Sequence, residues 1–97
     1  MVSRKRCVII SSDDIAREIV RQLSMRVAES SICPAEVARA LQGDEAAWRA
    51  GMRLVRDVAA AMRDQGRVRI TRGGVDVPGD ALHRGAIRLA RGPNFDV

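Results

Sequence analysis

Apolar residues Ile15, Ile19, Val20, Leu23 and Val27 recur at spacings of three and four, the period of a helix with one buried face. The pattern predicts a first helix from Ile15 to about Glu29, with Arg17, Arg21 and Arg26 turned to water. Ser11-Ser12-Asp13-Asp14 marks its start, since either serine can accept from the free first-turn amides and the carboxylates sit at the positive end of the helix dipole. A second start follows at Ile32-Cys33-Pro34-Ala35-Glu36-Val37. With Cys33 as N-cap, Pro34 takes the first helical position, Glu36 reaches back to the cap amide, and Ile32 and Val37 form a hydrophobic staple. This helix is short, ending near Gln42-Gly43 with the glycine as a left-handed cap. Ser31-Ile32 just before it suits a strand of two or three residues.

A third helix is predicted from Asp44 or Glu45 to about Gln65, stopped by Gly66. At about 100° per residue, Trp48, Met52, Val55, Ala59 and Met62 share one direction and form the core seam, with Leu54, Val58 and Ala61 widening it on one flank. Arg49, Arg53, Arg56 and Arg63 fall on the other flank in a band about 80° wide, bordered by Glu45, with Asp57 and Asp64 beyond it. After Gly66 the period drops to two: Arg67-Val68-Arg69-Ile70-Thr71 alternates cations with β-branched residues, as a half-buried strand does. Gly73-Gly74 is a turn, and Pro78 keeps the stretch from Val75 to Asp80 out of a central strand. Ala86 to Ala90 resumes the alternation and pairs with residues 67–71 as an antiparallel ribbon. Residues 1–12 read as a basic arm, 13–91 as the domain, and 92–97 as a frayed tail.

Helix, tiny strand, short helix, long helix, strand, long loop, strand is the order of an α+β winged helix-turn-helix, with residues 72–85 in the wing position. The residues themselves also resemble a family. Ile32-Cys33-Pro34-Ala35-Glu36-Val37-Ala38-Arg39, Trp48-Arg49 with Met52 and Val55-Arg56, Gly66-Arg67-Val68-Arg69-Ile70-Thr71, and Arg84-Gly85-Ala86-Ile87-Arg88-Leu89 are similar to the motifs of a small bacterial winged-helix family of unknown function. Its pattern reads I-C-P-S-E-V-A-R, W-R-x-x-M-x-x-V-R, G-x-I-x-I-T and R-G-P-I-R-L. The resemblance spans roughly residues 15 to 90, and the chain departs from it at Ala35, Val68 and Ala86. It implies a fold and leaves the function open.

Composition narrows the function classes. The 97 residues carry 17 Lys plus Arg against 12 Asp plus Glu, a formal charge of +5, and every cation but Lys5 is arginine. Such a balance suits an anionic partner. Trp48 and Phe95 are the only aromatic residues, too few for the stacking platforms that bind single strands, whereas duplex binding needs arginines rather than rings. A chain of this length has one core, burying roughly 60 to 70% of its unfolded surface, which disfavours a large substrate cavity. The longest apolar run, Cys7-Val8-Ile9-Ile10, is far short of the roughly 18 to 20 residues of a membrane span, and the expected location is the cytoplasm.

The candidate chemistry is correspondingly narrow. In a helix-turn-helix the third helix enters the major groove, where arginine bonds guanine or neutralises phosphate. Arg49, Arg53 and Arg56 lie in its N-terminal half, and Arg67, Arg69 and Arg72 with Gly73-Gly74 make a basic wing. The bland alternative for all six is a solvated face. Cys33 at a helix start could be an activated thiol but more simply caps and packs. Cys7 has no partner pattern, His83 is a loop histidine without an orienting carboxylate and nucleophile, and Trp48 is a core residue. No metal site, cofactor or small-molecule ligand is expected. The sequence therefore points to a non-enzymatic duplex-DNA-binding domain, monomeric or homodimeric, with a protein-interaction module of the same fold as the alternative.

Overall fold

The computed structural model of the chain describes residues 11–77 and 85–95; the arm through Ile10 with Cys7, and the loop residues 78–84 with Pro78 and His83, lie outside them. The elements run α1 (Ser12–Ser24), β1 (Ser31–Ile32), α2 (Pro34–Leu41), α3 (Glu45–Asp64), β2 (Val68–Arg72), β3 (Val75–Asp76) and β4 (Arg88–Arg91).

Ser11, of the two candidate serines, starts α1. Its hydroxyl accepts from the Asp14 amide at 3.1 Å while the Asp14 carboxylate accepts from the Ser11 amide at 3.3 Å, a reciprocal capping box. The helix stops at Met25, earlier than the apolar period suggests, and Val27 is 70% exposed rather than part of the core face. The cause is tertiary. The chain must turn here to lay Ser31 and Ile32 beside Ala90 and Leu89 of β4, and Arg91 of that strand donates to the carbonyls of Leu23 and Arg26, each at 2.9 Å. A cation thus satisfies helix-end carbonyls that a further turn of helix would otherwise have bonded.

The start of α2 follows the sequence reading. Cys33 is the N-cap, its amide donates to the Glu36 carboxylate at 2.8 Å, and Ile32 and Val37 are both fully buried. Its end does not. Gln42 leaves the helix in extended backbone, and Gly43 is not among the glycines of positive φ, because the chain runs straight on to Asp44, which caps α3 by accepting from the Ala47 amide at 3.1 Å. At the far end of α3, Gly66 does take the left-handed conformation, with φ +77°.

The core lies between the helices and the inner face of an antiparallel sheet of order β1-β4-β2-β3. Ile15, Ile19 and Leu23 of α1, Val55 and Ala59 of α3, Ile70 of β2 and Leu89 of β4 meet there, all buried. Burial on α3 concentrates in its second half, at Val55, Val58, Ala59 and Met62, whereas Trp48 and Met52 pack against the core half-buried. The expected seam is therefore rotated toward Val58, and its first half is looser than the period implies. Gly73 and Gly74, with φ +60° and +83°, join β2 to β3 in the two-residue hairpin that only such residues form without strain.

Gly92 to Phe95 is not frayed. The Gly92 amide donates to the Arg67 carbonyl at 2.9 Å, the Asn94 amide to the Gly66 carbonyl at 2.8 Å, and Phe95 is 7% exposed. A side chain at residue 92 would put its Cβ 2.9 Å from the Arg67 carbonyl carbon and the Val68 nitrogen, so glycine is required for the close crossing. One aromatic ring in a polar tail was enough to seat it against the core, where Arg91 covers it with its guanidinium carbon 4.8 Å from the ring centre. The described residues thus form an α+β fold of three helices and a four-stranded antiparallel sheet, an arrangement compatible with a winged helix-turn-helix.

Candidate nucleic-acid interface

The six arginines singled out by the sequence fall into two groups. Arg49, Arg53 and Arg56 line one shallow groove with Trp48 and Met52, about 440 Å³ in volume. Their spacing over two turns of α3 puts them on the same side of the helix, and the groove exists because the first half of α3 is packed only along its Trp48–Met52 edge. Arg49 is held from its own helix: Nε donates to Glu45 at 2.9 Å and Nη2 lies 2.8 Å from the same carboxylate. Arg56 reaches out of the helix to the Gly85 carbonyl at 3.2 Å. Arg53 is exposed and makes no hydrogen bond or ion pair among the described residues.

Arg72 joins this group from the sheet. Residues 68, 70 and 72 share one face of β2 and residues 69 and 71 the other, so Arg72 points to the side on which Ile70 meets the helices. Its Nε donates to the Ala86 carbonyl at 3.2 Å, one residue from the carbonyl that Arg56 uses. The segment Gly85-Ala86 therefore links the two cations, and the stripe on α3 continues onto the sheet.

Arg69 and Arg67 do not join. Arg69 extends from the opposite sheet face and makes a two-nitrogen contact with Asp76 across the hairpin, at 3.0 and 3.2 Å. Arg67 precedes the strand and lies along α1, lining a cleft with Asp13, Ala16, Arg17, Val20 and Arg21; its Nε is buried without a hydrogen-bond partner among the described residues. The alternation of charge in residues 67–71 correctly marks a strand, but alternation also means that consecutive cations of such a run cannot all serve one surface.

Arg39 is the residue that the sequence reading passed over. From α2 its guanidinium carbon stands 5.5 Å from the centre of the Trp48 ring, and that of Arg49 stands 5.1 Å from it. Trp48 is thus a half-buried platform flanked by two cations rather than the centre of the core, and the basic surface extends onto the preceding helix. Only the crossing of α2 and α3 creates this contact. An arginine on the exposed side of a short helix next to a helix-turn-helix turn was the one available hint.

On the other flank of α3 lies an apolar pocket of about 320 Å³, bounded by Ile15, Ala38, Leu41, Ala47, Gly51 and Leu54 among others, and Leu54 is 37% exposed. Cys33 is a half-buried free cysteine. Among the described residues no three His, Cys, Asp or Glu side chains gather as metal ligands, and no helix is long and apolar enough to cross a membrane.

Fold and surface together define a small α+β domain with one arginine-lined helical face. Over residues 12–92 the chain matches the model of a family described as a protein of unknown function, DUF3253, and it belongs to that family. The matched stretch contains the Cys33-Pro34, Trp48-Arg49 and Gly85-Ala86-Ile87-Arg88 motifs. No curated protein matches the chain.

Proposed function

We propose that this protein is a non-enzymatic DNA-binding domain of the winged-helix type that acts in the bacterial cytoplasm. The first half of α3 enters the major groove of a duplex, and Arg72 with the Gly73-Gly74 hairpin lies against the flanking backbone. One observation carries this reading: Arg49, Arg53, Arg56 and Arg72 converge on a single face. Arg56 and Arg72 each donate to a backbone carbonyl, and a charge-assisted bond to phosphate is stronger than a bond to such a neutral acceptor. Arg67 and Arg69, first counted with the wing, take no part.

The second reading, a protein-interaction module, is favoured by the apolar pocket at Leu54 on the other flank of α3. The two separate on salt. Titrating labelled random duplex with wild type and with Arg49→Glu/Arg53→Glu/Arg56→Glu at two salt concentrations decides between them. DNA binding through these residues predicts a linear fall of log affinity with log salt. In the triple variant affinity drops on the order of 100-fold or more at low salt, and the slope is shallower by about 3. Equal binding by the variant, or no binding by wild type at low salt, overturns the reading.

A further inference from the structure

We infer that Arg53 is the base-reading residue of this surface, and that it selects a guanine in the major groove while Arg49 and Arg56 hold the backbone. The inference rests on the DNA-binding reading and adds a division of labour to it.

Three observations carry it. The first is direction. The buried side chains Val55, Val58, Ala59 and Met62 set the core side of α3, and at about 100° per residue Arg53 points some 170° away from their mean direction, whereas Arg49 and Arg56 point some 130° and 110° away. A helix lying in a groove presents its outermost line to the base edges, and Arg49 and Arg56, which share one flank about 20° apart, face the backbone on that side.

The second is freedom. Arg49 is tied to Glu45 and lies over Trp48, and Arg56 is tied to Gly85, whereas Arg53 is exposed and has no partner among the described residues. Its guanidinium alone can present both donors in the fork that matches O6 and N7 of guanine without first breaking a bond. The third is room. Ala46 and Ala50, the exposed neighbours of Arg53 toward the start of the helix, are short enough to let the backbone approach the base edges. Asp57, one turn further on, is exposed on the same outer line and ends the surface a phosphate-lined groove can tolerate.

Selection from a pool of random duplexes tests this, run in parallel with wild type, Arg53→Ala and Arg53→Lys, with circular dichroism melts to establish that each variant is folded. Wild type is expected to enrich a motif containing guanine. Arg53→Ala loses the preference at one guanine position and keeps the others, with affinity for the motif falling about 5- to 150-fold, the range of one bidentate arginine–guanine pair. Replacing that guanine by 7-deazaguanine weakens wild type and leaves Arg53→Ala unchanged. An Arg53→Ala motif identical to that of wild type, or equal weakening on every sequence, overturns the assignment and makes Arg53 a phosphate contact. Retention of the pool without enrichment overturns base reading while leaving DNA binding in place. No retention at low salt removes the DNA-binding reading itself.

Discussion

Helices α1 and α3 both carry an arginine-rich outer face, and the two faces are built differently. On α1 and in the turn that follows it, each of three cations has its own acid. Arg17 pairs with Asp14 at 3.0 Å, Arg21 with Glu18 at 2.6 Å, and Arg26 with Glu36 of α2 at 2.8 Å. On α3 Arg49 pairs with Glu45 and Arg56 reaches a carbonyl, while Arg53 reaches nothing among the described residues. The three arginines on and just after α1 are thus offset by acids, whereas Arg53 adds to α3 a charge without a partner among the described residues. On the proposed DNA-binding reading, the polyanion meets α3 rather than α1, since paired charges cancel within the roughly 8 to 10 Å over which salt lets a charge act.

Charge reversal on α1 tests this contrast most severely. Arg17→Glu/Arg21→Glu/Arg26→Glu makes the same change in net charge as the α3 triple variant. If only bulk charge mattered, both would lose DNA binding alike. The contrast predicts that the α1 variant keeps affinity within about 5-fold of wild type, while the α3 variant loses on the order of 100-fold or more in the same titration. Equal losses would mean that the pairing on α1 has no bearing on what a polyanion senses.

A second cut separates structural arginines from surface ones. Arg91 donates to two carbonyls at the end of α1 and covers the Phe95 ring, so Arg91→Ala strips the partners from that helix end. Hydrogen bonds to a charged group contribute about 1.5 to 3 kcal/mol. The Nε of Arg91, buried without a partner among the described residues, offsets part of this, and the expected loss is at the low end, about 1.5 kcal/mol. Urea denaturation measures it, and faster amide exchange at residues 25–27 locates it. Arg53→Ala, by contrast, leaves stability within about 0.5 kcal/mol, as exposed substitutions away from caps and cores do.

These contrasts also explain what could be read from the chain. The start of α2 was legible because capping box, staple and N1 proline all lie within six consecutive residues, Ile32 to Val37, and each is a local device. The end of α1 was not, because Val27 fits the apolar period and the carbonyl partner that helps end the helix comes from residue 91. The docking of Phe95 depends on Gly92 passing close to the backbone of Arg67, again a contact of distant residues. For the candidate surface, the 3.6-residue period placed Arg49, Arg53 and Arg56 together correctly. It could not reveal that Arg69 finds Asp76 across a hairpin, that Arg67 lies along α1, or that Arg39 meets Trp48. Helical faces follow from spacing within one element, whereas the grouping of cations between elements follows from register and crossing, which no local pattern encodes.

The smallest expected effect is also the most direct report on the α1 pairing. The Arg21 guanidinium, aided by Gln22, holds the Glu18 carboxyl below its ordinary value of 4.5, against a partial desolvation that raises it. The Ser11 amide and Arg17 hold Asp14 below its ordinary 3.8. Both groups then bind protons less readily in the folded chain than in the unfolded one. Their contribution to stability is therefore fully present above the unfolded values and is lost as pH falls through the folded ones, below about pH 4. The partner guanidinium groups of Arg17 and Arg21 are more than half exposed, and the energy is correspondingly small. The measurement is a side-chain carboxyl titration by NMR. Arg21→Gln is expected to move the Glu18 midpoint up toward its ordinary value while leaving that of Asp14 unchanged. No movement of Glu18 would mean that the 2.6 Å contact does not persist in solution, and that the arginines of α1 are as free as Arg53.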